Sequence, residues 1–279
     1  MLWPFEYYSP KKPEDVDALL KEHPGATIFA GGTNLVIDME LDVLRPDHVI
    51  DVKKVEGLKE LNISTDGPSF IGAAVPVNQL LGCKCPTWTC VRDAIEMMAT
   101  YQVRNRATLV GNLCNASPAA DMAPPMLVLG TTVNVRKSDG STREVSLADF
   151  ITGVKKTVLA KDEWVTGLTV DKCPEQAKSR FFKKQRVRGH DLAVINVAGL
   201  CCPETKRLRV SVGSCAVTPL LFDFDALYAK ASSLADVEKP VLDKISAEIS
   251  PITDVRGTAE YRKDMVAHFT KRLLQDIYC

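Results

Sequence analysis

Between Ala107 and Gly130 the chain reads ATLVGNLCNASPAADMAPPMLVLG, a run of mostly small and apolar residues with one aspartate and no other charge. This junction restricts the fold more than any other stretch. Small residues leave backbone N–H groups accessible, and a turn with so little side chain leaves room for something else. Its β-branched start predicts a strand over ATLVGNL, and DMAPPMLVLG predicts a helix. A second junction shares the composition. In FAGGTNLV a strand, ATIFA, expected to be buried, meets two glycines, and Thr33 and Asn34 then supply side-chain hydrogen bonds at a helix start. Tight-turn amides at Gly31 and Gly32 suit a phosphate, although a plain glycine turn capping a helix explains one such loop equally well. Neither the GxGxxG spacing nor the GKS/GKT ending of a P-loop is present. In the first junction Thr108, Gly111, Asn112, Asn115 and Ser117 offer donors or exposed backbone. Asp121 stands either as a helix-capping carboxylate or as an acceptor for ribose hydroxyls. Together the two loops describe a site for a pyrophosphate-bearing dinucleotide.

The rest of the chain sets the frame for these loops. With 279 residues it is long enough for more than one lobe, since single cores stop growing near about 250–300 residues. Thirty-five basic residues balance 35 acidic ones, which gives no sign of a nucleic-acid or membrane surface. No apolar stretch approaches the roughly 20 residues of a spanning helix. No signal peptide is visible in MLWPFEYYSPKKPEDV, so nine cysteines read as reduced thiols and the expected location is cytoplasmic. Three lobes are expected, 1–52, 53–172 and 173–279. The first reads β-α-β, with a helix starting at Pro13. The second carries a hairpin with an Asp-Gly turn in TTVNVRKSDGSTREVSL and a closing strand in DEWVTGLTV. The third holds three strand-like runs, RFFKKQRVR, LAVINVAGLCC and RLRVSVGSCAV, then two or three helices covering one face of the sheet. The overall class is α+β with mixed sheets.

Four segments in order, FAGGTNLVIDM, QVRNRATLVGNLCNASPAADMAPPMLVLG, FFKKQRVRGHDLAVINVAG and SPITDVRGTAEYRKDMV, resemble the FAD-binding subunit of the molybdenum hydroxylases. That family includes xanthine dehydrogenase, aerobic carbon monoxide dehydrogenase, nicotinate dehydrogenase and 4-hydroxybenzoyl-CoA reductase. The resemblance spans the whole chain. It implies a two-lobed FAD-binding fold of the vanillyl-alcohol oxidase type, followed by a flavoprotein C-terminal domain with a three-stranded sheet and helices. It also implies that Ile28, Phe29, Ala30, Gly31, Gly32, Thr33, Asn34 and Leu35 wrap the FAD pyrophosphate. Thr108 belongs to the same binding loop, and Val110, Gly111 and Asn112 lie against the ribityl-pyrophosphate region. Asn115 and Ser117 add polar contacts, and Asp121 holds the adenosine ribose. Val165 lies beside the adenine and Lys183 near the flavin. Two departures stand out. Val110 occupies a position where the family commonly has glycine, and Ala99 aligns with an aromatic residue that stacks near the ring in some relatives.

The implied role is an electron-transfer subunit that carries FAD between iron–sulfur centres and NAD or another acceptor. Its partners would be a molybdopterin-binding large subunit and a two-iron-two-sulfur small subunit. No side chain is expected to act as acid or base, because the chemistry belongs to the flavin. Other readings stay open: a FAD-free scaffold of the same complex, a stand-alone flavin oxidase, or a flavin subunit that also binds a cluster at Cys83, Cys85 and Cys90. Those three thiols fall one short of the usual four ligands and read more simply as ordinary thiols. Cys114 reads as a packing residue. His23, His48, His190 and His268 have no metal-site spacing. His190-Asp191 has no GxSxG partner. The basic run KKQRVRGH reads as the solvated face of a strand.

Overall fold

The computed structural model describes residues 2–279 except Lys84, Cys173, Glu175 and Arg188. Lys84 lies in the Cys-rich link, Cys173 is one of the nine thiols and Arg188 ends the run RFFKKQRVR, and what the sequence reading says of these residues lies outside the described residues. The first lobe runs β1 (Glu6–Tyr8), α1 (Pro13–Glu22), β2 (Thr27–Phe29), α2 (Leu35–Glu40) and β3 (His48–Asp51). Its sheet has the order β1-β3-β2 with every pairing parallel, which requires the crossovers that the helices provide. Pro13 sits in the first turn of α1, and Asp15 accepts the Lys12 N–H at 3.3 Å, so the helix starts where the sequence marks it. Strand β2 is only half-buried, not the buried strand expected of ATIFA, because its outer side opens onto a cavity.

The second lobe begins with β4 (Leu61–Asn62) and β5 (Ser69–Gly72), then the helices α3 (Thr89–Met97), α4 (Tyr101–Arg104), α5 (Leu109–Cys114) and α6 (Ala123–Val128). It continues through β6 (Thr131–Lys137), β7 (Thr142–Ser146), α7 (Leu147–Phe150), β8 (Ile151–Gly153), β9 (Lys156–Thr157) and β10 (Glu163–Val170). An antiparallel sheet of order β4-β5-β10-β6-β7 results, with the hairpin β8-β9 beside it. The strand expected over ATLVGNL is instead helix α5. Thr108 caps it by accepting the Gly111 N–H at 3.0 Å, and Leu109, Val110 and Leu113 bury one helical face. A local cap plus a buried face overrides the β preference of Thr108 and Val110. Asp17 of α1 joins the first two lobes. Its carboxylate accepts Trp164 Nε1 at 3.0 Å and Arg136 Nε at 2.8 Å, and one hydrophobic core runs through both lobes.

The third lobe is β11 (Lys178–Lys184), β12 (Ile195–Cys202), β13 (Arg207–Gly213) and β14 (Leu220–Asp223), followed by α8 (Asp225–Tyr228), α9 (Leu234–Glu248) and α10 (Ala259–Ile277). The antiparallel sheet has four strands in sequence order, one more than expected, because LLFD pairs with β13. Helix α10 packs on β11 and β12 with α9 beside it. Helices α3 and α6 of the second lobe also contact this sheet, and burial of both its faces corrects the expectation of helices on one face. Every residue of β12 is accordingly buried, as in a strand covered on both sides. Among the described residues no helix is long and apolar enough to cross a membrane.

Helix α10 is fixed by Arg262, which has no exposed surface. Its guanidinium donates to the carbonyls of Val194 at 2.8 Å and Ser214 at 3.0 Å and to Asp254 at 2.6 Å. Arg256 also donates to Asp254, at 2.6 Å and 3.1 Å, and its hydrogen bonds, aided by Arg262, hold that carboxyl well below its ordinary range. A depressed carboxylate contributes stability above its unfolded value near about 4 and loses it as pH falls through the folded value. Asp254→Asn is therefore expected to lower unfolding free energy at pH 7 by about 2 kcal/mol, less than a fully buried pair because Asp254 keeps some exposure. Denaturant melts from pH 7 to pH 2 should show the deficit shrinking below about pH 4.

Candidate functional site

A cavity of about 540 Å³ opens where the first two lobes meet, and Ile28, Ala30, Gly31, Gly32, Thr33, Asn34, Leu35, Thr108, Val110, Gly111, Asn112, Asn115 and Val165 all line it. A second, of about 360 Å³, is lined by Ser117 and Asp121 and by His190, Asp191 and Leu192 of the third lobe. Thr33, Asn34, Met98, Asn112 and Asn115 belong to both walls, so the two spaces adjoin. Each lies within the roughly 300–1,000 Å³ usual for ligand sites.

The glycine loop forms the floor between them. A Cβ on Gly31 would lie 2.2 Å from the Arg106 carbonyl oxygen, so the loops of the two lobes touch through bare backbone. Gly32 has φ +75°, open to glycine at little cost, and a Cβ there would meet the Phe29 ring at 2.3 Å. Helix α2 begins with Val36 N–H donating to the Gly32 carbonyl at 2.9 Å. The N–H groups of Gly31, Gly32, Thr33, Asn34 and Leu35 have no hydrogen-bond partner among the described residues. Five successive free donors form an anion-suited wall.

Phe29 is a correction. Strand alternation sends Ile28 and Ala30 into the cavity wall, whereas Phe29 is absent from it and lies beneath Gly32. There Lys53 Nζ covers its ring at 3.7 Å and donates to the Ala30 carbonyl at 3.2 Å. The Phe29 side chain supports the loop and lies outside the site. Val165 does reach the wall. It precedes a register shift between β10 and β6 at Val165/Gly167, a bulge of the kind that re-aims side chains.

On the other loop, the Gly111 N–H is already satisfied by Thr108. Asn112 Oδ1 is buried without a partner among the described residues. A buried acceptor left open costs roughly 1–3 kcal/mol, so this atom marks a place where a donor belongs. Ala99, at the position of the aromatic departure, has φ +41° and lines the second cavity.

Asp121 and Lys183 are brought together, a pairing that no spacing in the sequence announced. Lys183 Nζ donates to Asp121 Oδ2 at 2.7 Å and to the Met97 carbonyl at 3.1 Å, and Asn196 Nδ2 donates to Asp121 Oδ1 at 3.3 Å. Burial pushes the Asp121 carboxyl above its ordinary range, against the opposing pull of Lys183. Lys183 lies behind the wall of the second cavity and lines neither space. The expected roles conflict with this placement. Asp121 shares its end with Lys183, the residue expected near the flavin, while Val165, expected beside adenine, lines only the first cavity.

Residues that sequence reasoning missed include Met98, Leu159, Asp38 and Lys155 in the first cavity and Leu192 in the second. They come from separate loops with no common motif. Cys114 is half-buried in the wall of the first cavity, and burial pushes its thiol up to about 12. Cys85 Sγ lies 3.2 Å from Thr87 Oγ1. Among the described residues no three His, Cys, Asp or Glu side chains, Cys83, Cys85 and Cys90 included, come together to hold a metal.

Two lobes of an α+β chain enclose a cavity of dinucleotide size, and His190, Asp191 and Leu192 of the third lobe line the space beside it. Residues 3–172 match the FAD-binding domain in molybdopterin dehydrogenase, and residues 180–277 match the carbon monoxide dehydrogenase flavoprotein C-terminal domain. The chain belongs to that family of FAD-binding oxidoreductase subunits, and its cofactor is FAD. It is 28% identical to the carbon monoxide dehydrogenase medium chain of Afipia carboxidovorans, over 97% of this chain and 96% of the other. It is 26% identical to the putative xanthine dehydrogenase FAD-binding subunit of Escherichia coli, over 94% and 92%. The solved carbon monoxide dehydrogenase of Hydrogenophaga pseudoflava, which lacks the Mo-pyranopterin moiety of its molybdenum cofactor, superposes with a TM-score of 0.89 at 25% identity, over 100% and 98%.

Lys183→Met strands the Asp121 carboxylate in a buried place, and the expected loss of stability at pH 8 is about 3–5 kcal/mol. The stranded acid binds a proton more tightly when folded, so the loss should shrink toward pH 5. Adding Asp121→Asn should recover at least half of it, as thermal melts of the single and double variants would reveal.

Proposed function

We propose that this chain is the electron-transfer subunit of a three-part molybdenum hydroxylase. It would hold FAD between the iron–sulfur centres of a two-iron-two-sulfur small subunit and NAD or another acceptor, while substrate reacts at a molybdopterin-binding large subunit. One observation carries the FAD placement: five free backbone donors lie where two adjoining cavities meet. An apolar wall with Val165 and Leu159 lies at one end, and a buried Asp121–Lys183 pair lies at the other. FAD has the same order of parts, a pyrophosphate between two ring systems. The amides of Gly31 to Leu35 would take the pyrophosphate, and Val165 and Leu159 would pack against the adenine. Asn112 Oδ1 would accept from a ribityl hydroxyl. Asp121, oriented by Asn196 and Lys183, would stand at the flavin end rather than at the adenosine ribose. FAD supplies redox chemistry between two-electron and one-electron partners, and the protein's part is position, charge and exclusion of water. The multi-subunit assembly is supported by the relatives' descriptions as medium chains and FAD subunits. In this reading the lobes 1–52 and 53–172 enclose the cofactor and 173–279 closes its flavin end.

The glycines alone do not decide against a scaffold subunit. Gly31 is explained by its contact with Arg106, and Gly111 by its cap. The open Asn112 oxygen has no such internal explanation, whereas the Asn34 and Leu35 amides are donors that any helix start leaves open. The purified chain should take up one equivalent of FAD and acquire a flavin absorption spectrum. Reconstitution with its two partner subunits should then give substrate-dependent reduction of NAD or a dye, lost when FAD is stripped. A chain that stays colourless with FAD, alone and with partners, is a scaffold.

A further inference from the structure

The hairpin β8-β9 carries Lys155 at its tip, at the rim of the first cavity. Its backbone lies in the left-handed region at φ +57°, a costly place for a residue with a Cβ, and is fixed there by its N–H donating to the Ala116 carbonyl at 2.9 Å. The side chain points back to the binding loops. Nζ donates to Asn115 Oδ1 at 2.6 Å and lies 3.4 Å from Asp38 Oδ2. An ammonium has three donors, so two such contacts leave one. Among the described residues that line the first cavity, Lys155 is the sole lysine or arginine. The other charged groups there are Asp38 and Glu163, and Glu163 is already held by Arg143 through two bonds of 2.7 Å and 2.8 Å. Asn115, on which Lys155 rests, lines both cavities, so the ammonium sits against a residue that the two spaces share.

We propose that Lys155 is the counter-charge for the pyrophosphate of the bound dinucleotide and the residue that favours FAD over flavins without a diphosphate. Backbone amides contribute partial charges only, and a diphosphate brings at least two negative charges into a wall whose uncompensated formal charge is otherwise the Asp38 carboxylate. The inference rests on the FAD reading and adds to it a side chain outside the two glycine loops. Half-exposure of the lysine keeps its effect moderate and sensitive to salt.

The test is equilibrium titration of the full-length apo chain with FAD and with riboflavin, followed by quenching of flavin fluorescence, for wild type, Lys155→Gln and Lys155→Arg. Lys155→Gln should weaken FAD about tenfold, the size of one charge-assisted hydrogen bond, and change riboflavin less than twofold. Lys155→Arg should stay within about threefold of wild type, since it keeps the charge. Raising salt from low to physiological strength should weaken FAD more for wild type than for Lys155→Gln. FAD affinity in Lys155→Gln within twofold of wild type, or equal losses for FAD and riboflavin, would overturn the role of Lys155 and leave the FAD site standing. A wild-type chain that binds neither flavin would overturn the site itself.

Discussion

The site depends on one close approach of two backbones. Gly31, in the loop after β2, and Arg106, before α5, belong to different lobes, yet no Cβ fits between them. That contact joins the two loops edge to edge and leaves the donors from Gly31 to Leu35 unpaired beside the open acceptor of Asn112. A helix start leaves such donors for water or a ligand, whereas a buried acceptor such as Asn112 Oδ1 is ordinarily satisfied. Here a parallel three-stranded sheet and an antiparallel five-stranded sheet meet in a way that leaves them open. The buried Asp17, held by Trp164 and Arg136, secures the same junction from the far side of α1.

The third lobe is part of the site as well as an addition to it. Its sheet is packed between α9 and α10 on its own side and α3 and α6 of the second lobe, and through it Lys183 and Asn196 reach Asp121. A buried ion pair is weak support for stability, because desolvation of two charges offsets much of their attraction. Its value here is positional: it fixes a carboxylate in the wall of the second cavity with one defined set of partners. Arg262 does the corresponding work at the same end of β12, where it ties Val194 and Ser214 to the start of α10.

Much of this was legible in the chain itself. The helix at Pro13, the Asp-Gly hairpin and the Gly31-Gly32 loop stand where local chemistry places them, because caps and turns are decided within a few residues. The misreadings have physical causes. ATLVGNL carries β-branched residues, but the Thr108 hydroxyl reaches the Gly111 amide and the helix wins. LAVINVAGLCC reads as a strand of a sheet covered on one face, although a run that is apolar but for Asn196, with little alternation, signals two. Phe29 stands inside a binding motif and still points away, since a strand alternates whatever its neighbours do. The Asp121–Lys183 pair and Lys155 could not be read at all. Each depends on elements far apart in sequence, and no local spacing encodes their meeting.

In the proposed function the free amides of the glycine loop receive the anionic middle of FAD. The direct measurement is backbone amide NMR of the apo chain, labelled with nitrogen-15, before and after one equivalent of FAD. The account predicts large shifts and new protection from hydrogen exchange at Gly31, Gly32, Thr33, Asn34 and Leu35, with Gly111 less protected-on-binding because its amide is already bonded. Binding of FAD that leaves those five amides unshifted and exchanging as before would contradict it.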